Sequence, residues 1–144
     1  MGKVRVSDIQ IYPGKKIEQP GGKVLRGMKK TDKGYSGFGE AYFSQVNPGI
    51  IKAWKLHTEM TMNILVPVGE VHFAFIDHFG GIRGETIGSN NYVRLSVPPG
   101  VWFGFKGVAE TVSTLLNIAD IEHSSSEMKR KELHELEYNW EIRK

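Results

Sequence analysis

The sequence predicts an all-β protein, a sandwich or a barrel closed on itself, on three observations. Seven or more runs of strand length follow one another, each rich in Val, Ile, Phe and Tyr and each closed by Gly, Pro or Asn. No run alternates with a helical period, and neither a GxGxxG loop nor a P-loop string occurs, which excludes a doubly wound nucleotide-binding sheet. The chain has 144 residues, 40% hydrophobic and 24% charged, enough to bury one core and too apolar for a disordered chain. With no repeat, linker or low-complexity segment, residues 1–144 read as a single domain.

The elements follow in order. VRVSDIQIY (4–12) alternates weakly, and Pro13-Gly14 and Gln19-Pro20-Gly21-Gly22 break it. EAYFSQV (40–46), GIIKAWKL (49–56), MNILVPV (62–68) and EVHFAFID (70–77) are the strongest strand runs. Gly80-Gly81 and Gly88-Ser89-Asn90-Asn91 bracket a hairpin-like excursion. YVRLSV (92–97), VWFGF (101–105) and ETVSTLLNIA (110–119) complete the β set. Ser124 precedes Glu127 by three residues, the spacing of a capping box, which predicts a surface helix or a polar tail with a helical turn running to about Glu137.

Composition removes several chemistries. There are no cysteines, so no disulfide, thiolate metal site or cysteine nucleophile, which fits a reducing compartment. No apolar stretch approaches the ~20 residues that cross a bilayer and no secretory h-region opens the chain, so a cytoplasmic protein without membrane partners is expected. Residues 1–33 hold nine Lys/Arg against three Asp/Glu, while residues 34–144 hold ten against thirteen. This basic N-terminal stretch suits an anionic ligand or is a solvated face, and it lacks the interleaved aromatics of a nucleic-acid binder. The five histidines, at 57, 72, 78, 123 and 134, show no HxH or HxxxH pair for a metal, and no G-x-S-x-G elbow surrounds a serine.

Two stretches, IKAWKLHTEMTMNILVPVGEVHFAFID (51–77) and SVPPGVWFGF (96–105), resemble the cupin superfamily. The resemblance implies a double-stranded β-helix, a jelly-roll barrel, with a short C-terminal helix or tail. The ligand slots of metal cupins fall on Lys55, His57, Met62 and Phe103, so only one of four ligands is kept; neither metal nor cofactor is expected.

The chain is more closely similar to the dTDP-4-dehydrorhamnose 3,5-epimerase branch of the cupins, as a short divergent member. Arg26-Gly27, Asn47-Pro48-Gly49 leading into IKAWKLH, VGEVHFAFID, PPGVWFGF and EYNW (137–140) carry that resemblance over about residues 22–140. It implies proton removal next to a 4-keto group of a nucleotide-linked 4-keto-6-deoxy sugar, in synthesis of cell-surface carbohydrate such as lipopolysaccharide. His57 takes the base slot. The enolate-lysine slot falls on Met62, leaving Lys55 or Lys52 to substitute. The acid-tyrosine slot falls on Leu116, with Tyr42, Tyr92 and Tyr138 as replacements. Glu132 and Glu135 are the acids available to orient the base, and Arg26 is a phosphate clamp for its own or a partner's pocket. The implied pocket sets His57 amid Met62, Phe73, Phe75, Phe103 and Leu116, while Trp54 and Trp102 read as packing aromatics. A homodimer is expected, since a lone barrel leaves edges at the N-terminal strand, AYFSQV and GIIKAW. Two functions stay open: a metal-independent epimerase or isomerase, and a degenerate cupin that only binds a sugar or other small ligand, in which His57 is a satisfied core histidine.

Overall fold

The computed structural model describes residues 3–141. Among the described residues there are twelve strands: β1 (Gln10–Pro13), β2 (Lys15–Ile17), β3 (Val24–Arg26), β4 (Glu40–Val46), β5 (Ile51–His57), β6 (Met62–Val68), β7 (Glu70–Ile76), β8 (Ile82–Gly88), β9 (Val93–Val97), β10 (Trp102–Gly107), β11 (Ser113–Ala119) and β12 (Met128–Arg130). They form two antiparallel five-stranded sheets, β1-β9-β6-β11-β4 and β12-β5-β10-β7-β8, with β2 and β3 as a separate hairpin. The order is that of a jelly-roll, in which chain-distant strands become neighbours.

The two sheets share one core. Ile64 and Val66 of β6, Leu95 and Val97 of β9 and Leu115 of β11 meet Val71, Phe73 and Phe75 of β7 and Phe103 of β10. A second cluster covers the outer face of the β5-β10-β7 sheet, where Leu136, Tyr138 and Trp140 of the tail pack on Trp54, Leu56, Ala74, Ile76 and Trp102. Trp54 and Trp102 are packing aromatics there. The turn between β6 and β7 needs glycine: Gly69 has φ +87, and a Cβ on it would lie 2.1 Å from Ser113 Oγ.

Three sequence expectations are corrected. The 124–137 segment is not a helix. It is a 3₁₀ turn (Ser125–Glu127), strand β12 on the edge of β5, and a second 3₁₀ turn (Leu133–Glu135). Ser124 makes no capping bond: its hydroxyl pairs with that of Ser126, and the Glu127 carboxylate points inward to His57 rather than back to the Ser124 amide. The 4–12 run opens as a 3₁₀ turn (Val6–Asp8), with the Asp8 carboxylate accepting from the Arg5 amide, before β1 begins. The excursion after Gly80-Gly81 is a full strand, β8, paired along its length with β7.

Candidate active site

A β-bulge sets the site. Phe103 of β10 faces Lys55 of β5, but Gly104 faces Ala53, so Trp54 is the extra residue. The bulge shifts phase, so that Lys52 and Lys55 both line the cavity with His57, Lys52 at its exposed rim with Nζ donating to the Gln45 carbonyl at 2.8 Å, while Trp54 and Leu56 turn outward. Glycine is required opposite: a Cβ on Gly104 would lie 2.5 Å from the Ala53 Cβ. The interior holds a cavity of about 320 Å³. One wall is Lys52, Lys55, His57, Phe73, Phe103 and Phe105. The facing wall is Glu40, Tyr42 and Ser44 of β4, Met62 and Ile64 of β6, and Leu115 and Asn117 of β11.

His57 is 5% exposed and its ring stacks on Phe103 at 5.7 Å. Its Nδ1 donates to Glu127 Oε1 at 2.5 Å, and the other oxygen of Glu127 accepts from the backbone amides of Glu59 and Met60 at 3.1 and 3.2 Å. Burial pushes the Glu127 carboxyl up, but these donors outweigh it and hold it below the usual glutamate value, so it is ionised at neutral pH. A carboxylate that only accepts fixes the proton on Nδ1. Nε2 is thereby left as a lone-pair base; it has no partner among the described residues and is not buried from the cavity. Lys55 has its ammonium shifted below the ordinary lysine range, first by burial and then by repulsion from Arg130 and Lys52. Lys52, Lys55 and Arg130 together line an adjoining groove, which shares Phe103 and Phe105 with the cavity.

Among known proteins, no family model matches the chain. The chain is similar to a probable low-salt glycan biosynthesis epimerase of Haloferax volcanii, 30% identical over 84 residues, a match spanning 54% of each chain. The chain therefore spans about half the length of that relative. It is also similar to the spore coat polysaccharide biosynthesis protein SpsL of Bacillus subtilis, 26% identical over 113 residues, covering 72% of this chain and 75% of that one. Among solved structures it superposes on a dTDP sugar isomerase from Desulfovibrio desulfuricans with a TM-score of 0.83 and 35% identity, covering 86% of this chain and 83% of that one. The chain belongs to the cupin family of dTDP-sugar epimerases and isomerases.

Within this family member, the cavity brings together His57, Lys55, Met62, Phe73 and Phe103 of the residues singled out from sequence. Three others lie elsewhere. Phe75 sits wholly buried in the core beside Phe73, with ring centroids 6.3 Å apart, and does not reach the cavity. Leu116 is on the outer face of β11, because Leu115 and Asn117 are the residues that point inward. Arg26 ends the small hairpin and lines a separate basic cleft with Lys15, Lys29, Lys33 and Arg94. Of the replacement acids, only Tyr42 faces His57. The Tyr92 hydroxyl donates to the Arg26 carbonyl, and Tyr138 bonds His72 at 2.6 Å outside the barrel. Sequence reasoning missed Glu127, which it assigned to a helix cap, and Asn117. Glu132 and Glu135 flank the outer groove instead.

The described residues hold no cluster of three or more His, Cys, Asp or Glu able to bind a metal. None of their helices is long and apolar enough to cross a membrane.

Proposed function

We propose that this chain is a metal-independent epimerase or isomerase of a nucleotide-linked 4-keto-6-deoxy sugar, working in the cytoplasm on cell-surface carbohydrate, lipopolysaccharide included. The observation that carries the reading is the His57–Glu127 pair, a buried imidazole whose Nδ1 is held by the carboxylate and whose Nε2 is left open to the cavity. His57 Nε2 takes the proton from the carbon beside the ketone, and the electron pair moves onto the keto oxygen. The Lys55 ammonium, on the same wall, receives the enolate charge that Met62 cannot. Phe73, Phe103 and Met62 form the apolar bed for the deoxy sugar. Lys52 and Arg130, beside Lys55, face the diphosphate in the adjoining groove. The likeness to a dTDP sugar isomerase and to a glycan biosynthesis epimerase supports this substrate class.

The chain also pairs with a second copy in this reading. Strand β4 is an open edge of its sheet, and Phe43 on it is 69% exposed. Light scattering reading twice the chain mass supports the pairing, and a monomer mass refutes it.

The function is tested by incubating the protein with dTDP-4-keto-6-deoxyglucose and following the sugar by NMR. Conversion to an epimer or a positional keto isomer is expected. Binding without conversion, for this sugar and for its UDP- and GDP-linked counterparts, replaces the enzyme with the binding-only reading.

A further inference from the structure

Inverting a carbon requires a proton donor on the face opposite the base. His57 stands on β5 of one sheet, and the wall across the cavity belongs to the other. That wall carries Met62, Ile64 and Leu115, which have no proton to give, and Asn117, whose amide is too weak an acid. Glu40 is tied to the exposed rim, its Oε1 accepting a hydrogen bond from the His123 amide. Ser44 is an alcohol far less acidic than a phenol, and His123, which also lines the cavity, is exposed in the loop after β11 rather than set in the facing wall. Tyr42 remains.

The hydrogen bonds around Tyr42 aim its proton. The backbone amide of Asn63 donates to Asn117 Oδ1 at 3.2 Å, which fixes the orientation of that side-chain amide. Asn117 Nδ2 therefore donates to the Tyr42 hydroxyl oxygen, at 2.9 Å. The phenol oxygen is used as an acceptor, and its own hydrogen points elsewhere. Among the described residues nothing accepts that hydrogen, and Tyr42 lines the cavity that holds His57.

We propose that Tyr42 is the catalytic acid of this site, delivered from β4 and aimed by Asn117 as its positioning residue. This rests on the epimerase reading above. His57 takes the proton from one face of the carbon. The electron pair of the enolate then takes the phenolic proton from the other face. The tyrosinate left behind recovers a proton from water, and the imidazolium returns its proton to water, so the only net change is configuration. Burial, with smaller contributions from Glu40 and Glu127, raises the Tyr42 phenol above its ordinary value despite the Asn117 bond, so it is protonated at neutral pH.

The test separates exchange from inversion. In D2O with dTDP-4-keto-6-deoxyglucose, Tyr42→Phe is expected to keep deuterium exchange at the base-accessible carbon within a few-fold of the parent, while inverted product falls at least ~10²-fold. Asn117→Asp is the second variant. Its carboxylate would accept the Tyr42 proton and hold it, so inversion falls while exchange persists. Thermal unfolding of both variants reports whether they fold, and if one does not, the other decides. Either folded variant inverting at the parental rate overturns the assignment and leaves the epimerase reading intact. A parent that neither exchanges nor inverts overturns both.

Discussion

Replacing Glu127 by Gln changes one atom and tests how the base is prepared. The carboxylate accepts three hydrogen bonds, one from His57 and two from backbone amides, and is 2% exposed. An amide has one accepting atom. If its oxygen stays with the Glu59 and Met60 amides, its NH2 faces His57 Nδ1, which must then accept. The ring proton moves to Nε2, and the lone pair facing the cavity is lost. A positioned base contributes about 10²–10⁴-fold, and a comparable carboxylate-to-amide change in a hydrolase triad costs about 10⁴ through the same tautomer switch. Deuterium exchange by Glu127→Gln should therefore fall 10²–10⁴-fold, on the order of those values. Losing charge-assisted bonds in a buried site costs about 1.5–3 kcal/mol of stability. Urea unfolding should show that loss with most of the protein still folded at 25 °C, which separates the two effects. Exchange by Glu127→Gln at the parental rate would refute the orienting role of the carboxylate.

Other substitutions test the remaining parts. Lys55→Met should reduce exchange about 10²–10³-fold if Lys55 receives the enolate charge. Because burial and its neighbouring cations lower the Lys55 ammonium, rising pH removes its charge earlier than for an exposed lysine, so activity should fall on the alkaline side; Lys55→Arg should move that limb to higher pH. His72 outside the barrel is held below the ordinary histidine value by burial, with Glu85 opposing and Lys106 adding to the shift. Its neutral form, bonded to Thr86 and Tyr138, contributes stability above about pH 6.5 that is lost as pH falls from there toward the lowered native value. Urea midpoints measured across that window should fall less for His72→Phe than for the parent. Leu115→Ala should cost about 2–5 kcal/mol, since Leu115 is buried between the sheets, whereas Leu116→Ala should cost about 1 kcal/mol or less. Equal losses in chemical denaturation would contradict the strand phase.

How much of this was legible depends on whether the signal is local. β5, β6, β7 and β10 announce themselves by dense β-branched and aromatic runs closed by glycine or proline. β8, IRGETIG, does not, because two glycines and two charged residues dilute it, and only pairing with β7 makes it a strand. In TLLNIA two adjacent leucines leave the phase of β11 open, which is why Leu116 was placed inward and Asn117 overlooked. Glu127 follows Ser124 at a capping spacing, and that local signal hid a contact 70 residues away with His57. The bulge at Trp54 has no local signature. It arises from the pairing of Gly104 with Ala53, and it is what lets Lys52 and Lys55 both line the cavity.

The central claim is that His57 moves a proton to and from carbon. Mass spectrometry of the sugar recovered from D2O measures it directly. The parent is expected to incorporate deuterium beside the keto group of dTDP-4-keto-6-deoxyglucose. His57→Asn, which keeps a polar side chain of similar size in the same place, is expected to lose at least ~10² of that rate while still binding the nucleotide sugar. Deuterium incorporation by His57→Asn as fast as by the parent would contradict the claim.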